Sequence, residues 1–311
     1  MILVVGPSPA FQQRMVFDVL APDAVNRARE VETLPSGKPI NCARALHRLG
    51  VPSRLVLFLG GAIGEWVHRG LEGEGIAHRA VSCAAETRIA CTVFESGSRR
   101  TTELVENARP VTDAEAAAFL ATAREELVVA SALLLSGSLP EGFPPSIYRE
   151  LAVEAARRGL PVVVDTQGAA LLAALEARPT VAKPNRAELA AATGFSTDTE
   201  EQRKAAMLEL CRRGARAVVV SDGAREVAML TEAGLKVFLP PPIELRNAIG
   251  SGDVFASALA ASLASGKSVE EGVRWGIACA AANAAGHGYA RFDLALARSL
   301  FTQVAASAVR E

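Results

Sequence analysis

Short apolar runs that alternate with helical patterns constrain this fold most. Six runs have the length and composition of buried strands: Ile2–Val5, Leu55–Leu59, Leu133–Leu135, Val162–Val164, Val181–Ala182 and Val218–Val220. Helical patterns lie between them: Ile40–Leu49, Ile63–Glu74, Ser146–Arg158, Ala169–Ala177 and Thr199–Arg213. This order predicts a mainly parallel, doubly wound sheet with helices on both faces, in three α/β/α layers. In such sheets, ligands bind at the carboxyl ends of the strands.

Two regions interrupt this alternation with strands that have no helix between them. Arg14–Val19 is followed by Ala28–Glu32, and Arg88–Glu95 is followed by Thr101–Val105 after a turn at Ser96–Arg100. We expect about residues 11–33 and 86–107 to form a small antiparallel β sheet. It either extends the main sheet or serves as a lid that excludes water from a cleft.

The last third of the chain is predicted to be helical, over Val254–Ala264, Val269–Ala285 and Leu294–Val309. With 311 residues and no linker of low complexity, residues 1–311 are expected to form a single domain that carries the small sheet.

Composition excludes several classes of protein. The formal net charge is −1 and the basic residues are dispersed, which argues against nucleic acid or an anionic membrane as a partner. No apolar run reaches the ~18–20 residues of a membrane span, and the N-terminus lacks a secretion signal. The five cysteines form no C-x-x-C pair, which favours reduced thiols and a cytoplasmic location.

The stretch Asn247–Asp253, N-A-I-G-S-G-D, precedes a run of small residues that is typical of a buried helix. Glycines let backbone N–H groups approach a ligand, and a helix N-terminus carries partial positive charge, so this loop suits an anion such as phosphate. Asp253 at its end is either a simple N-terminal helix residue or a base that takes the proton from an attacking hydroxyl. No P-loop sequence is present.

In Leu34–Gly50 a glycine turn opens a helix, and Asn41 in its first turn either caps this helix or binds a sugar hydroxyl. Three further loops follow apparent strands and therefore face the same edge of the sheet. They are S-G-S-L-P-E-G, K-P-N-R-A-E-L and V-V-V-S-D-G-A, which start at Ser136, Lys183 and Val218.

Six motifs in order resemble the PfkB family of carbohydrate kinases, which has the ribokinase-like fold, over nearly the whole chain. They lie at Pro22–Arg27, Gly37–Gly50, Glu86–Ile89, Ser136–Pro140, Lys183–Leu189 and Asn247–Asp253. Within that family, the chain most resembles the branch that contains 1-phosphofructokinase and tagatose-6-phosphate kinase.

The resemblance implies a role for each motif. Asp253 is the catalytic base, and the amides of Gly250, Ser251 and Gly252 form the anion hole. The residues that bind the nucleotide are Lys183, Asn185, Ser221, Gly223 and Asn283. Asn185 and Glu188 order Mg²⁺, through water. The residues that contact the sugar are Gln12, Gly37, Lys38 and Asn41. The phosphate already on the substrate is bound by Arg27, Arg88 and Ser138.

Four positions depart from the family pattern. Gln12 stands where an acid is expected, Pro39 replaces a glycine, Glu226 replaces a second glycine after S-D-G, and an acidic E-P-G-P segment is E-N-A-R at Glu106–Arg109. Glu226 either repels nucleotide phosphates or faces solvent. Pro39 removes an N–H, which implies a different loop on the sugar side.

These observations favour an ATP- and Mg²⁺-dependent kinase that phosphorylates a hydroxyl of a ketohexose phosphate, of the fructose 1-phosphate or tagatose 6-phosphate class. A catalytically weakened protein that binds sugar phosphate or nucleotide and regulates a partner is the alternative. A PfkB-type kinase for another sugar or a nucleoside is a third interpretation. Exposed lid edges favour a homodimer through the lid strands.

Overall fold

The computed structural model describes residues 1–306. Its strands are β1 (Ile2–Val5), β2 (Ala10–Phe17), β3 (Glu30–Ser36), β4 (Ser53–Leu59), β5 (His78–Ser82), β6 (Ile89–Glu95), β7 (Arg100–Val105), β8 (Ala132–Ser136), β9 (Val162–Asp165), β10 (Val181–Ala182), β11 (Val218–Ser221), β12 (Val227–Thr231), β13 (Gly234–Leu239) and β14 (Ala305–Ala306). Its helices are α1 (Lys38–Arg48), α2 (Gly61–Gly73), α3 (Asp113–Leu127), α4 (Ser146–Arg157), α5 (Gly168–Leu175), α6 (Arg186–Thr193), α7 (Glu200–Arg212), α8 (Ser251–Ala264), α9 (Val269–Ala284) and α10 (Leu294–Phe301).

The main sheet has the strand order β14-β13-β12-β11-β10-β9-β8-β1-β4-β5. The strands from β11 to β5 are parallel, whereas β12, β13 and β14 add as antiparallel strands at one edge. All six predicted strands are present, which confirms the doubly wound sheet. The apolar runs are continuous because both faces of these strands are buried.

Helices cover both faces of the main sheet and enclose two apolar cores. On one face, α1, α8 and α9 pack over side chains such as Val4 and Leu57. On the other face, α3 and α4 pack over Leu3, Leu133 and their neighbours. The chain therefore has the three predicted α/β/α layers. None of the helices within residues 1–306 combines the length and the apolar character that crossing a bilayer requires.

The predicted small sheet is present, with one correction to its pairing. Its order is β3-β2-β6-β7. The outer pairs are antiparallel as expected, but the central pair of β2 and β6 is parallel, with Gln12 opposite Ala90. The reason is topological: β2 and β6 belong to separate hairpins that leave the main sheet on the same side. Side chains alternate across these strands, so Gln12, Thr92 and Glu103 share one face.

The prediction of a helix over Leu294–Val309 was too long. Helix α10 ends at Phe301, and Ala305–Ala306 pairs with β13 as β14. Residues 307–309 of that prediction lie outside the described residues.

Candidate active site

The cleft between the small sheet and the carboxyl ends of the parallel strands has a volume of about 370 Å³. Such a volume is typical of a small-molecule site. Segments from distant parts of the chain line the cleft. The predicted site residues among them are Gln12, Gly37, Lys38, Asn41, Arg88, Lys183, Asn185, Glu188, Ser221, Gly250, Gly252 and Asp253. Asp165 lines the cleft as well.

The segment Asn247–Asp253, which we name the anion loop, turns sharply into helix α8. Gly250 has φ of 79°, and a Cβ there would lie 3.2 Å from the Ala290 nitrogen, so glycine is required by both conformation and space. Among the described residues, the amides of Gly250 and Gly252 meet no acceptor, and they are available to an anion. The Ser251 amide differs from our expectation, because it donates to the Ala248 carbonyl at 3.1 Å.

Asp253 lies in the first turn of α8 and is only 5% exposed. Burial raises the pKa of its carboxyl to about 7, although the nearby Lys38 ammonium opposes this shift. A carboxyl that titrates near neutral pH can alternate between the charged and the protonated form during turnover. Its position at the cleft, with this pKa, is suited to a general base.

Asn41 holds Asp253 in place. The Asn41 Nδ2 donates to Asp253 Oδ2 at 2.8 Å, and the Asn41 Oδ1 accepts from Arg44 Nη1 at 3.1 Å. Arg44 is itself buried and bound to Glu74 and to the Pro35 carbonyl. This chain of hydrogen bonds fixes the orientation of the Asn41 amide, so that its donor faces the carboxylate. Sequence analysis did not identify Arg44 as part of the site.

Two lysines and a buried carboxylate lie beside Asp253. Asp165, 1% exposed, ends strand β9 and binds Lys183 Nζ at 3.2 Å and Lys38 Nζ at 3.5 Å. Burial on its own would raise the pKa of Asp165, but attraction to Lys183 and Lys38 outweighs it and the pKa is lowered. Sequence analysis missed Asp165. The signal was an acid directly after a V-V-V strand, at the edge where ligands bind.

Lys183 is positioned to reach charge on the anion loop. Its ammonium lies 3.9 Å from the point that a Cβ on Gly252 would occupy. It also lies 5.6 Å above the ring of Phe255, a residue of α8. A buried lysine held in this way contributes a fixed positive charge at the helix N-terminus.

Asn185 and Glu188 form a capping box at the start of α6. Glu188 Oε2 accepts from the Asn185 amide at 2.9 Å, and Asn185 Oδ1 accepts from the Glu188 amide at 2.8 Å. The remaining Glu188 oxygen accepts from Lys38 at 3.3 Å. Within residues 1–306, no three His, Cys, Asp or Glu side chains converge as a direct metal cluster.

The oxygen donors nevertheless suit a hydrated Mg²⁺ ion. Mg²⁺ retains several waters and takes only one or two carboxylates, besides substrate phosphates. Glu188 lines the cleft, and buried Asp165 nearby has one oxygen, Oδ2, with no hydrogen-bond partner. The oxygens of Glu188 and Asp165 are suited to bind a Mg²⁺ ion through the water molecules that it retains.

Arg88 and Ser138 lie together at the far end of the cleft. Both line an adjoining cavity of about 160 Å³, together with Ser8 and Lys38. The Arg88 guanidinium donates to the carbonyls of Pro9, Ser8 and Glu106, which leaves two of its five N–H groups for a ligand. Burial lowers the pKa of Arg88, but an arginine remains charged at neutral pH.

Five predicted site residues do not line the cleft: Ser251, Ser138, which lines the adjoining cavity, and the three that follow. Arg27 is exposed in the connection between β2 and β3, and Gly223 is exposed in the turn after β11. Asn283 is fully buried behind the anion loop, where its Nδ2 donates to the Ile249 carbonyl and to Ser251 Oγ. Asn283 therefore stabilises the loop from behind.

Two departures from the family pattern have local explanations. Pro39 is buried in the first turn of α1. Backbone N–H groups in the first turn of a helix have no acceptor within the helix, so a proline there removes no hydrogen bond. Glu226 forms an ion pair with Arg203 at 2.5 Å, so its charge is neutralised by the protein.

Comparison with known proteins agrees with this architecture. Residues 2–293 match the family model described as pfkB family carbohydrate kinase. Phosphofructokinase-2 from Escherichia coli superimposes with a TM-score of 0.88 at 26% identity, over 97% of this chain and 98% of that one.

Two more solved structures share the fold. A possible 1-phosphofructokinase from Thermotoga maritima has a TM-score of 0.90 at 24% identity, over 99% of each chain. The ribokinase of Arabidopsis thaliana, complexed with ribose and ATP, has a TM-score of 0.74 at 22% identity, over 96% of this chain and 98% of that one. The fold is therefore ribokinase-like, and the chain belongs to the pfkB family of carbohydrate kinases.

Proposed function

We propose that this protein transfers the γ-phosphoryl group of ATP to a hydroxyl of a ketohexose phosphate, of the fructose 1-phosphate or tagatose 6-phosphate class. The observation that carries the proposal is Asp253, a buried carboxyl with a pKa of about 7 that lies beside the free amides of the anion loop. A base and an anion hole next to each other are what phosphoryl transfer to an alcohol requires.

Asp253 removes the proton from the acceptor hydroxyl as its oxygen attacks the γ-phosphorus, and ADP leaves. The amides of Gly250 and Gly252, together with Lys183, stabilise the charge on the migrating phosphoryl group. The ion pair with Asp165 directs the Lys183 ammonium at this point. Positioning and electrostatics of this kind supply most of the catalysis in phosphoryl transfer.

The nucleotide is expected near Lys183, Asn185 and Ser221, with Gly223 at its outer end. Asn283 contributes through the loop that it stabilises. Glu188 and Asn185 would hold Mg²⁺ through water, and the ion would neutralise charge on the nucleotide phosphates. Neutralisation of Glu226 by Arg203 removes the repulsion that favoured a weakened, regulatory protein.

The acceptor is expected with its sugar hydroxyls near Gln12, Gly37, Lys38 and Asn41, and with its phosphate at Arg88 and Ser138. A planar guanidinium with two free N–H groups suits a phosphate dianion. Arg27 is expected to join this group when the strands β2, β3, β6 and β7 close over the cleft as a lid.

The decisive experiment measures ADP release from purified protein with ATP, Mg²⁺ and a panel of acceptors. The panel contains fructose 1-phosphate, tagatose 6-phosphate, and fructose 6-phosphate, which is bound in another structure of the E. coli enzyme. Fructose, ribose and a nucleoside cover the other acceptor classes. Protein with Asp253→Asn controls for contaminating kinases. No ADP release above this control with any sugar phosphate would refute the proposal.

Arg88→Met tests the assigned phosphate position. We expect the KM for the sugar phosphate to rise at least 10-fold, because a charge-assisted hydrogen bond contributes about 1.5–3 kcal/mol. Turnover of an unphosphorylated sugar should change little. Arg100→Met is the matched control, since Arg100 is an exposed arginine on β7 that pairs with Glu95. Equal KM values for Arg88→Met and wild type would remove Arg88 from the site.

We also propose a homodimer that forms through the strands of the small sheet. Strand β3 exposes the apolar side chain of Val31, at 56% exposure, and the connection between β2 and β3 exposes Val25 at 81% and Val19 at 68%. Such apolar patches mark association surfaces. Sedimentation should give twice the mass of the chain, and Val25→Glu should shift it toward the monomer. A monomeric wild type at micromolar concentration would contradict this proposal.

A further inference from the structure

Glu103 is the charged residue that the strands of the small sheet present to the cleft. Six residues from these strands line the cleft: Ala10, Gln12, Ser36, Ala90, Glu103 and Val105. Among them, Glu103 alone carries a formal charge. It is solvent-exposed there, and it faces the sheet edge that holds the anion loop and Asp253.

Hydrogen bonds across three strands connect Glu103 with Gln12. The Gln12 Nε2 donates to Thr92 Oγ1 at 2.9 Å and to the Gln13 carbonyl at 3.4 Å, so both of its N–H groups are used within the sheet. The Thr92 hydroxyl then donates its only hydrogen to Glu103 Oε1, at 3.5 Å.

This network leaves only acceptors on the cleft side. With its N–H groups occupied, Gln12 offers Oε1, and Glu103 offers a carboxylate whose other oxygen, Oε2, has no partner in the described part of the chain. Sugar hydroxyls are donors that such a pair can bind. A phosphate dianion is repelled by a carboxylate and is directed toward Arg88 instead.

We infer that Glu103 determines sugar specificity: with Gln12 Oε1 it accepts hydrogen bonds from hydroxyls of the acceptor, and it forces the acceptor's phosphate to the Arg88 end of the cleft. This inference rests on the proposed function and identifies the part of the site that recognises the sugar. Thr92 is a positioning residue in it, since its hydroxyl accepts from Gln12 Nε2 and donates to Glu103 Oε1, and it is 2% exposed.

The test is Glu103→Gln, with the sugar phosphate from the panel that wild type turns over fastest. We expect the dissociation constant of this acceptor, measured by calorimetry without ATP, to rise about 10- to 100-fold. The KM for ATP should stay within twofold. The control is Glu30→Gln, an exposed acid of β3 outside the cleft, which should behave as wild type.

Deoxy analogues distinguish a direct contact from a structural effect. The wild type should discriminate against the analogue that lacks the contacted hydroxyl, whereas Glu103→Gln should bind it as well as wild type does. Adding Gln12→Glu to Glu103→Gln moves the carboxylate to β2 and should restore affinity for the full sugar. If Glu103→Gln does not fold, Glu103→Asp keeps the charge, withdraws it by one methylene, and should still weaken binding.

The outcomes separate the two proposals. If wild type phosphorylates a sugar phosphate and Glu103→Gln matches it in affinity for the sugar and for every deoxy analogue, the inference on Glu103 is wrong and the proposed function stands. If wild type turns over no sugar phosphate but binds a sugar, the same comparison of affinities decides the role of Glu103 alone. A wild type that neither binds nor phosphorylates any sugar would overturn both.

Discussion

Replacing Asp253 by asparagine tests the role of the buried base most directly. Asparagine has the same shape and can still accept from Asn41, which donates to Asp253 Oδ2 at 2.8 Å, but it cannot take a proton. Loss of a general base costs about 10²–10⁴ in rate. We therefore expect kcat to fall by at least 100-fold while the KM for ATP changes little.

The pH dependence of the wild type follows from the same carboxyl. Its pKa is raised by burial to about 7, so about a tenth of the molecules carry the ionised base at pH 6 and about nine tenths at pH 8. The value of kcat/KM should therefore rise roughly 10-fold between these pH values. With an ordinary aspartate pKa of 3.8 it would be flat over this range.

The free energy of unfolding of the wild type should fall as pH rises, whereas its kcat/KM should increase. The folded carboxyl titrates near 7 and the unfolded one near 3.8, so the folded chain binds this proton more tightly and stability falls as pH rises from about 4 to about 7. At about 1.4 kcal/mol per pKa unit, the loss amounts to at most roughly 4 kcal/mol. The Asp253→Asn variant has no ionisable group at this position, so its free energy of unfolding does not undergo this loss.

Steady-state kinetics and thermal denaturation of both proteins at pH 5, 6, 7 and 8 provide the assay. We expect the asparagine variant to have a kcat at least 100-fold lower than wild type, yet to melt a few degrees higher at pH 8, with the difference in melting temperature shrinking toward pH 5. A variant that retains more than a tenth of the wild-type rate would refute the assignment of Asp253 as base. Equal melting temperatures at pH 8 would refute the argument from burial.

Two other substitutions test the surroundings of the site. Lys183→Met should leave Lys38 as the only close cation of Asp165 among the described residues, and it should lower kcat at least 100-fold, measured by ADP release. A kcat near that of wild type would show that the migrating charge is stabilised elsewhere. Gly276→Ala should lower the free energy of unfolding by about 1–3 kcal/mol, because its Cβ would lie 2.0 Å from the Phe255 ring. Gly73→Ala, where nothing lies within 4 Å, is the control, and urea denaturation that ranks the two alike would contradict the packing argument.

The sequence alone determined the layers of the fold and the loops that carry chemistry. Continuous apolar runs such as Val162–Val164 predict buried parallel strands, because only strands covered on both faces lack polar positions. Since parallel strands end at the same edge, the loops after them had to converge, and the motifs at Lys183 and Asn247–Asp253 followed from local patterns of glycine, lysine and acid.

The tertiary structure alone decided how those groups are paired and how deeply they are buried. The pKa of Asp253 depends on desolvation by the whole cleft, and Arg44, Asp165 and Glu103 join the site through contacts between residues far apart in sequence. The burial of Asn283 behind the anion loop has the same origin. Local patterns fix which groups a loop offers, whereas burial and pairing arise only when distant elements pack together.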